Sequence, residues 1–330
     1  MKRLRPSVRD VWLARRRIAP VVGPSPLVVA EAASRVCGAD VRLKLENLQP
    51  TGAFKVRGAA NALLALHETG DLRGVVAVST GNHGRAVAYV ARKLGVPAAV
   101  YVSERVPADK LEALERSGAE VHVGGRGQDE AEVVARAEAA RRGHSLVHPF
   151  DDAAVIAGQG TIGLELLDGM PDLDTALVPV SGGGLIGGIA LVLKSASPDI
   201  RVVGVAMEGG SAMVASLTAG VPTAVGEVDT WADSLQGGIG LDNRFTFGLV
   251  ERFVDELVLV SEDAIAHAMG FAFHHERQVL EGGGAVALAA VLSGAVDVRG
   301  QRVAVVASGG NVDPAVVARH GSGLAAAETV

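Results

Sequence analysis

The chain has 330 residues, room for two ordinary domains, and 42 of them are glycine, well above the about 7% of an average protein. Even with 13 prolines added, it stays below the roughly 25–30% glycine plus proline of low-complexity chains, so the glycines serve backbone geometry and not disorder. A net charge of −6 with no long basic run excludes nucleic acid as the main partner. The single Cys37 excludes a disulfide framework or multi-cysteine metal site and reads as a small buried hydrophobe.

The start, MKRLRPSVRD, has no apolar segment of signal-peptide length after it, and no apolar run reaches the ~18 residues of a membrane span. A soluble, cytoplasmic protein is expected. Arg15-Arg16-Arg17 reads as a solvated helix face. From about residue 55 short β-branched runs alternate with helix-length stretches. Strands are expected at 75–78, 98–102 and 118–123, with helices at 86–94, 108–116 and 130–142 between or after them. The second half repeats the pattern: a strand at 175–180, a glycine-led helix to about 195, a strand at 200–206 and an apolar run at 302–307. Such runs suit strands buried on both faces of a parallel sheet. The fold expected is α/β, with two blocks, roughly 51–150 and 151–330, forming two sheets with a cleft between them.

Glycines cluster where such strands end, the usual ligand-binding edge of an open parallel sheet. The run from Pro179 to Lys194, PVSGGGLIGGIALVLK, goes from strand to glycine loop to helix, so backbone N–H groups converge on one anion, with Ser181 adding a hydroxyl. Gly182 to Gly187 also satisfies G-x-G-x-x-G, and Glu208 sits about where a dinucleotide site wants an acid, so a nicotinamide oxidoreductase stays open, as does a plain tight turn. No Gly-Lys-Ser/Thr follows, which excludes a P-loop. Gly209-Gly210, Gly237-Gly238 and Gly282 to Gly284 are expected to line the same cleft. Lys55 lies among Phe54, Val56 and small residues; desolvation there would depress its pKa and make it a nucleophile and base. Ser79-Thr80-Gly81-Asn82-His83-Gly84 offers hydroxyls, an amide and N–H groups at a helix start, suited to a carboxylate.

Lys55 in its setting, the Ser79–Gly84 turn, the Gly182–Gly184 loop and Ser308-Gly309-Gly310-Asn311 occur in one order from about Pro26 to Asp313. This resembles the fold-type II pyridoxal-phosphate enzymes, in the threonine/serine dehydratase and serine racemase branch. The resemblance implies two open, twisted, mostly parallel sheets flanked by helices, a tryptophan synthase β-like fold. Residues 1–50 and 151–330 would form the large cofactor domain and 51–150 a small mobile one. It also implies pyridoxal 5'-phosphate as cofactor, a small amino-acid substrate and a homodimer. Lys55 would be the Schiff-base lysine and the base at the substrate α-carbon. Phe54 would flank it, and Gly182, Gly183, Gly184 and Leu185 would bind the phosphate. Asn82 would bond the ring 3-hydroxyl and Ser308 face the pyridine nitrogen. Ser79, Thr80, Gly81 and His83 would hold the substrate carboxylate.

A neutral serine at the ring nitrogen makes a weaker electron sink than an aspartate would, which favours β-elimination over transamination. The implied reaction is loss of a β-hydroxyl as water, then release of a keto acid and ammonia. Departures narrow this. Glu208 and Ala212 match the family's cation-binding stretch, but Val214 stands where its aspartate would be, so no metal is expected there. Thr80 stands where racemases carry a serine acid, and racemisation remains the alternative within the fold. A non-catalytic binder of pyridoxal phosphate or amino acid is the other. Ala232 to Arg244, with Glu281 to Gly284, resembles the dehydratase of hydroxyectoine utilisation clusters, implying a β-hydroxylated diamino acid contacted by Asp242 and Arg244. His274-His275 point to different helix faces and suit no shared metal, and His144 and His148 read as ordinary loop residues.

Overall fold

The computed structural model describes residues 6–317, apart from 80, 105, 107, 126 and 127. The first helix, α1 (Val8–Ile18), starts with a reciprocal cap: Ser7 accepts from Asp10 N, and the Asp10 carboxylate accepts from Ser7 N. Strand β1 (Leu27–Val29), helix α2 (Glu31–Cys37) and strand β2 (Asp40–Leu45) follow, then α3 (Lys55–Glu68). Cys37 is half-buried and not fully enclosed, with Sγ 3.5 Å from Val291 O.

The next stretch alternates β3 (Val75–Val78), α4 (Asn82–Leu94), β4 (Ala98–Val102), α5 (Ala108–Arg116), β5 (Glu120–Val123), α6 (Gln128–Arg142) and β6 (Ser145–Leu146). These four strands make one parallel sheet in the order β5-β4-β3-β6. After α7 (Ala153–Gly169) come β7 (Thr175–Pro179), α8 (Gly184–Ala196), β8 (Arg201–Met207), α9 (Ala212–Ala219), α10 (Thr246–Phe253), β9 (Glu256–Val260), α11 (Glu262–Glu276), α12 (Gly282–Leu292) and β10 (Arg302–Ala307). The second sheet runs β1-β2-β10-β7-β8-β9, parallel except where β1 meets β2. Strands β3, β4 and β7 are buried at every residue, as their uninterrupted apolar sequences require.

Several expected boundaries move, among them the starts of α4, β5 and α6. Helix α4 starts at Asn82, four residues before Ala86, because the Ser79–Gly84 turn ends inside the helix; Asn82 and His83 therefore sit in its first turn. Strand β5 starts at Glu120 and not at Gly118, whose φ of +87° turns the chain.

Helices α8 and α12 are buried along nearly their whole length, as helices apolar on all sides must be. Close approach needs glycine: a Cβ on Gly188 would lie 2.8 Å from Gly160 N, which lets α7 and α8 touch backbone to backbone.

Charge is buried beneath α3. The Arg57 guanidinium, 1% exposed, pairs with Glu46 at 2.8 Å and Glu165 at 2.6 Å and donates to Thr161 Oγ1 at 3.1 Å. Lys44 Nζ donates to Glu165 at 2.5 Å and to Ser25 O at 2.6 Å. Two cations and two carboxylates thus neutralise each other and tie α3 to the end of β2 and to α7. Removing one partner strands the others in low dielectric. Arg57→Ala is expected to cost about 3–5 kcal/mol of unfolding free energy, read from urea denaturation; a loss below about 1 kcal/mol, the worth of an exposed pair, would contradict this structural role.

Candidate active site

A cleft of about 1160 Å³ lies between the two sheets, and of the residues expected at cofactor or substrate it is lined by Phe54, Lys55, Ser79, Gly81, Asn82, His83, Gly182 to Leu185 and Ser308. Its floor is set by the turn before α3. Gly52, at φ +73°, reverses the chain against the Asn311 side chain, Gly310 N donates to Gly52 O, and Phe54 N donates to Ser308 O at 3.0 Å. Ala53 forms an isolated bridge with Gly309. The loop that follows β10 thereby fixes where α3 begins and where Lys55 points.

The Lys55 Nζ donates to Pro149 O at 2.8 Å and lies 5.3 Å from the centre of the Phe54 ring. Burial lowers its pKa to about 8, with the Glu281 carboxylate partly opposing that. The amine is close to losing its proton at physiological pH, the state a nucleophile or base needs.

At the head of α4, Gly81 N donates to Ser79 Oγ at 3.2 Å. Buried His83 bonds Val147 O through Nε2 at 2.9 Å; a carbonyl only accepts, so Nε2 carries the proton. Burial, then the Lys55 charge, push its pKa down to about 3, and the ring is neutral. Asn82 is held at both ends of its amide, Nδ2 donating to Glu281 Oε1 and Oδ1 accepting from Asn311 Nδ2, each at 2.7 Å. Thr80 lies outside the described residues.

Between β7 and α8 the backbone of Gly182 to Leu185 opens onto the cleft. Gly183 has φ +83°, and the first turn of α8 is closed by Gly187 N to Gly183 O, which leaves the preceding N–H groups outside the helical ladder. A Cβ on Gly182 would enter the Phe150 ring, and one on Gly184 would lie 2.9 Å from Phe150 O. Ser308 follows β10; its Oγ donates to Gly283 O at 3.3 Å.

Three contributors carried no legible role in the sequence. Glu281 precedes α12 like an ordinary cap, yet its side chain accepts from Asn82, from Ser234 Oγ at 3.1 Å and from Asn311 N at 3.1 Å. Burial, with the Asp233 charge, raises its pKa to about 7 against those bonds. His148, expected to be an ordinary loop residue, lines the cleft, and its Nδ1 accepts from Phe150 N at 3.2 Å and Asp151 N at 2.8 Å. Pro149 acts through its backbone carbonyl, which no residue pattern announces.

Other expectations sort by position. Gly237 and Gly238 line the cleft; Gly209 and Gly210 do not, and Gly210 lies instead in a separate shallow hollow with Glu208 and Val214. Gly282 to Gly284 serve close packing instead: a Cβ on Gly284 would meet Gly309 N at 3.0 Å. Asp242 lines the cleft, whereas Arg244 is exposed and reaches inward only through its backbone N–H. Among the described residues no cluster of three His, Cys, Asp or Glu could hold a metal ion.

Residues 18–309 match the family model described as pyridoxal-phosphate dependent enzyme. The L-threonine ammonia-lyase of Thermotoga maritima is 42% identical over 313 residues, which cover 95% of this chain and 77% of that protein. Among solved structures, maize serine racemase superposes with a TM-score of 0.90 at 32% identity, covering 99% of this chain and 100% of that one. The threonine deaminase of T.th. gives a TM-score of 0.84 at 40% identity, with 93% of this chain and 99% of that one covered. The chain belongs to the pyridoxal-phosphate-dependent enzyme family. Within it, the relatives place the chain in the branch of threonine dehydratases and serine racemases.

The cofactor's two ends fit what the cleft presents. A desolvated lysine amine suits its aldehyde, and a helix start stripped of Cβ atoms suits its phosphate. Glu281 offers a check on the electrostatics. Its folded pKa, about 7, lies above the 4.5 of the free side chain, so the folded state holds an extra proton between these values. That contribution to stability is complete below about 4.5 and lost as pH rises through about 7. The stability of the wild type relative to Glu281→Gln is expected to fall across that window and level off above it in urea titrations at stepped pH; a difference that grows with pH would contradict the assigned environment.

Proposed function

We propose that the protein is a lyase that removes the β-hydroxyl of a β-hydroxy amino acid as water and releases a keto acid and ammonia. The observation that carries this reading is the Lys55 amine, its pKa lowered to about 8, in one cleft with the glycine loop Gly182–Leu185. Pyridoxal phosphate, when bound, supplies the electron sink for the pair left at the α-carbon. The residues of the chain do the rest. Lys55 would hold the cofactor through its amine and, when free, takes the α-proton on Nζ. Its pKa near the working pH suits both taking and returning a proton. Gly182, Gly183, Gly184 and Leu185 hold the phosphate by backbone N–H groups at the start of α8. Asn82, its amide orientation set by Glu281 and Asn311, would bond the ring 3-hydroxyl, and Ser308 would offer a neutral hydroxyl to the ring nitrogen. Ser79 and Gly81 at the head of α4 would hold the substrate carboxylate, with Thr80, next to both in sequence, assigned the same role. His83, neutral and committed to Val147 O, contributes shape there without charge.

Loss of the β-hydroxyl with one proton yields water and an enamine; water then replaces its nitrogen and ammonia leaves. Threonine and serine fit this chemistry. A β-hydroxylated diamino acid, as in hydroxyectoine breakdown, also fits, since Glu227, Asp233 and Asp242 line the cleft and complement a second ammonium. The same reading takes residues 51–150 as a small mobile domain against 1–50 with 151–330, supported by the separate four-stranded sheet. It also takes the enzyme as a cytoplasmic homodimer, supported by family membership; among the described residues no helix is long and apolar enough to cross a membrane.

A second reading, racemisation, is favoured by the likeness to maize serine racemase. Purified protein supplied with L-threonine, L-serine or hydroxy-diaminobutyrate is expected to release ammonia and keto acid, and Lys55→Ala to lose the visible cofactor band and lower release by on the order of 10³-fold or more. D-serine formed from L-serine without ammonia would establish the racemase instead. Cofactor colour with no product from a broad amino-acid panel would leave only a binding protein.

A further inference from the structure

We propose that Asp151 is a positioning residue that clamps the phosphate cradle from both sides, an inference that rests on the reading of Gly182–Leu185 as the phosphate site. Asp151 is 5% exposed, and its carboxylate accepts three backbone N–H groups at the start of α10: Arg244 N at 2.7 Å to Oδ2, and Phe245 N at 2.8 Å and Thr246 N at 3.0 Å to Oδ1. These are charge-assisted bonds, and the positive end of the helix dipole strengthens them.

The two segments joined this way are the two walls of the glycine loop. On one side Phe150, the residue before Asp151, occupies the places where Gly182 and Gly184 would carry a Cβ. On the other side Thr246 Cβ and Val250 Cγ2 stand 3.0 and 3.2 Å from the Cβ place of Gly183, and Leu249 Cβ stands 3.2 Å from that of Gly187. A glycine backbone has the most conformations to lose on ordering, so a glycine loop converges its N–H groups only while both walls stay in register. The Asp151 carboxylate is the bond between those walls. The same short segment also carries Pro149 O, which receives the Lys55 amine, so Asp151 couples the phosphate end of the site to the lysine end.

The test separates phosphate from the rest of the cofactor. The full-length protein is stripped of cofactor and titrated with pyridoxal phosphate and with unphosphorylated pyridoxal, following the visible band. Asp151→Ala is expected to weaken pyridoxal phosphate roughly tenfold or more, the loss of at least one charged hydrogen bond, while pyridoxal changes by less than about twofold. Asp151→Asn keeps the volume and one acceptor oxygen, is expected to fall between, and carries the test should the alanine variant fail to fold. Equal losses for both ligands, or none for either, overturn the proposal, because general packing would move them together. Gly183→Ala serves as the control on the cradle. If it loses the preference for phosphate and the Asp151 variants keep it, the cradle stands and the clamp falls. If Gly183→Ala also keeps that preference, the cradle reading fails and the clamp with it.

Discussion

The site depends on one amine held out of water without a full counter-charge. Lys55 has a carbonyl partner at 2.8 Å, an aromatic face beside it and a carboxylate, Glu281, which is itself held near neutrality by burial. A complete ion pair would keep the lysine protonated and useless as a nucleophile; an empty apolar pocket would make its burial too costly. Arg57, two residues on along α3 and so on another face, receives the opposite treatment. Its guanidinium is matched by one buried and one half-buried carboxylate and stays charged. One helix therefore carries a fully compensated cation that fixes its position and a partly compensated one that is available for chemistry.

That compensation is built by segments far apart in the chain. The loop after β10 sets the start of α3 through Phe54 N and the Ala53–Gly309 bridge, Pro149 supplies the carbonyl, and Glu281 comes from the entry to α12. Asn311 links these parts, since its side-chain amide donates to Thr51 O and Asn82 Oδ1 and its backbone to Glu281. The consequence is a cleft whose polar groups orient one another before any ligand arrives, the preorganisation that makes a polar site effective.

The glycine excess has two distinct physical causes. At Gly52 and Gly183 the backbone enters the left-handed region. At Gly182, Gly184, Gly188 and Gly284 the space of a side chain is taken by Phe150, by the facing helix or by Gly309. Of these, only the glycines of the Gly182–Leu185 loop face the cleft. Gly209–Gly210 and Gly282–Gly284 look the same in sequence and serve turns and helix packing, because a glycine run specifies that backbone can come near without specifying what it comes near.

The amino-acid sequence alone determined the α/β class, the strand–glycine–helix run at Pro179–Lys194 and the order of the motifs along the chain, since each is read from runs of neighbouring residues. It misplaced the start of α4, because polar Asn82 and His83 resemble a turn when their partners, Glu281 and Val147, are out of view. It passed over Pro149 and Asp151 for the same reason: their hydrogen bonds go to residues 93 to 95 positions away. His148 bonds near neighbours in the chain, and its place on the cleft comes from the fold. Tertiary structure alone decided which titratable groups are desolvated together and which glycines face the cleft. Burial and partner geometry belong to the folded chain as a whole, and no local pattern encodes them.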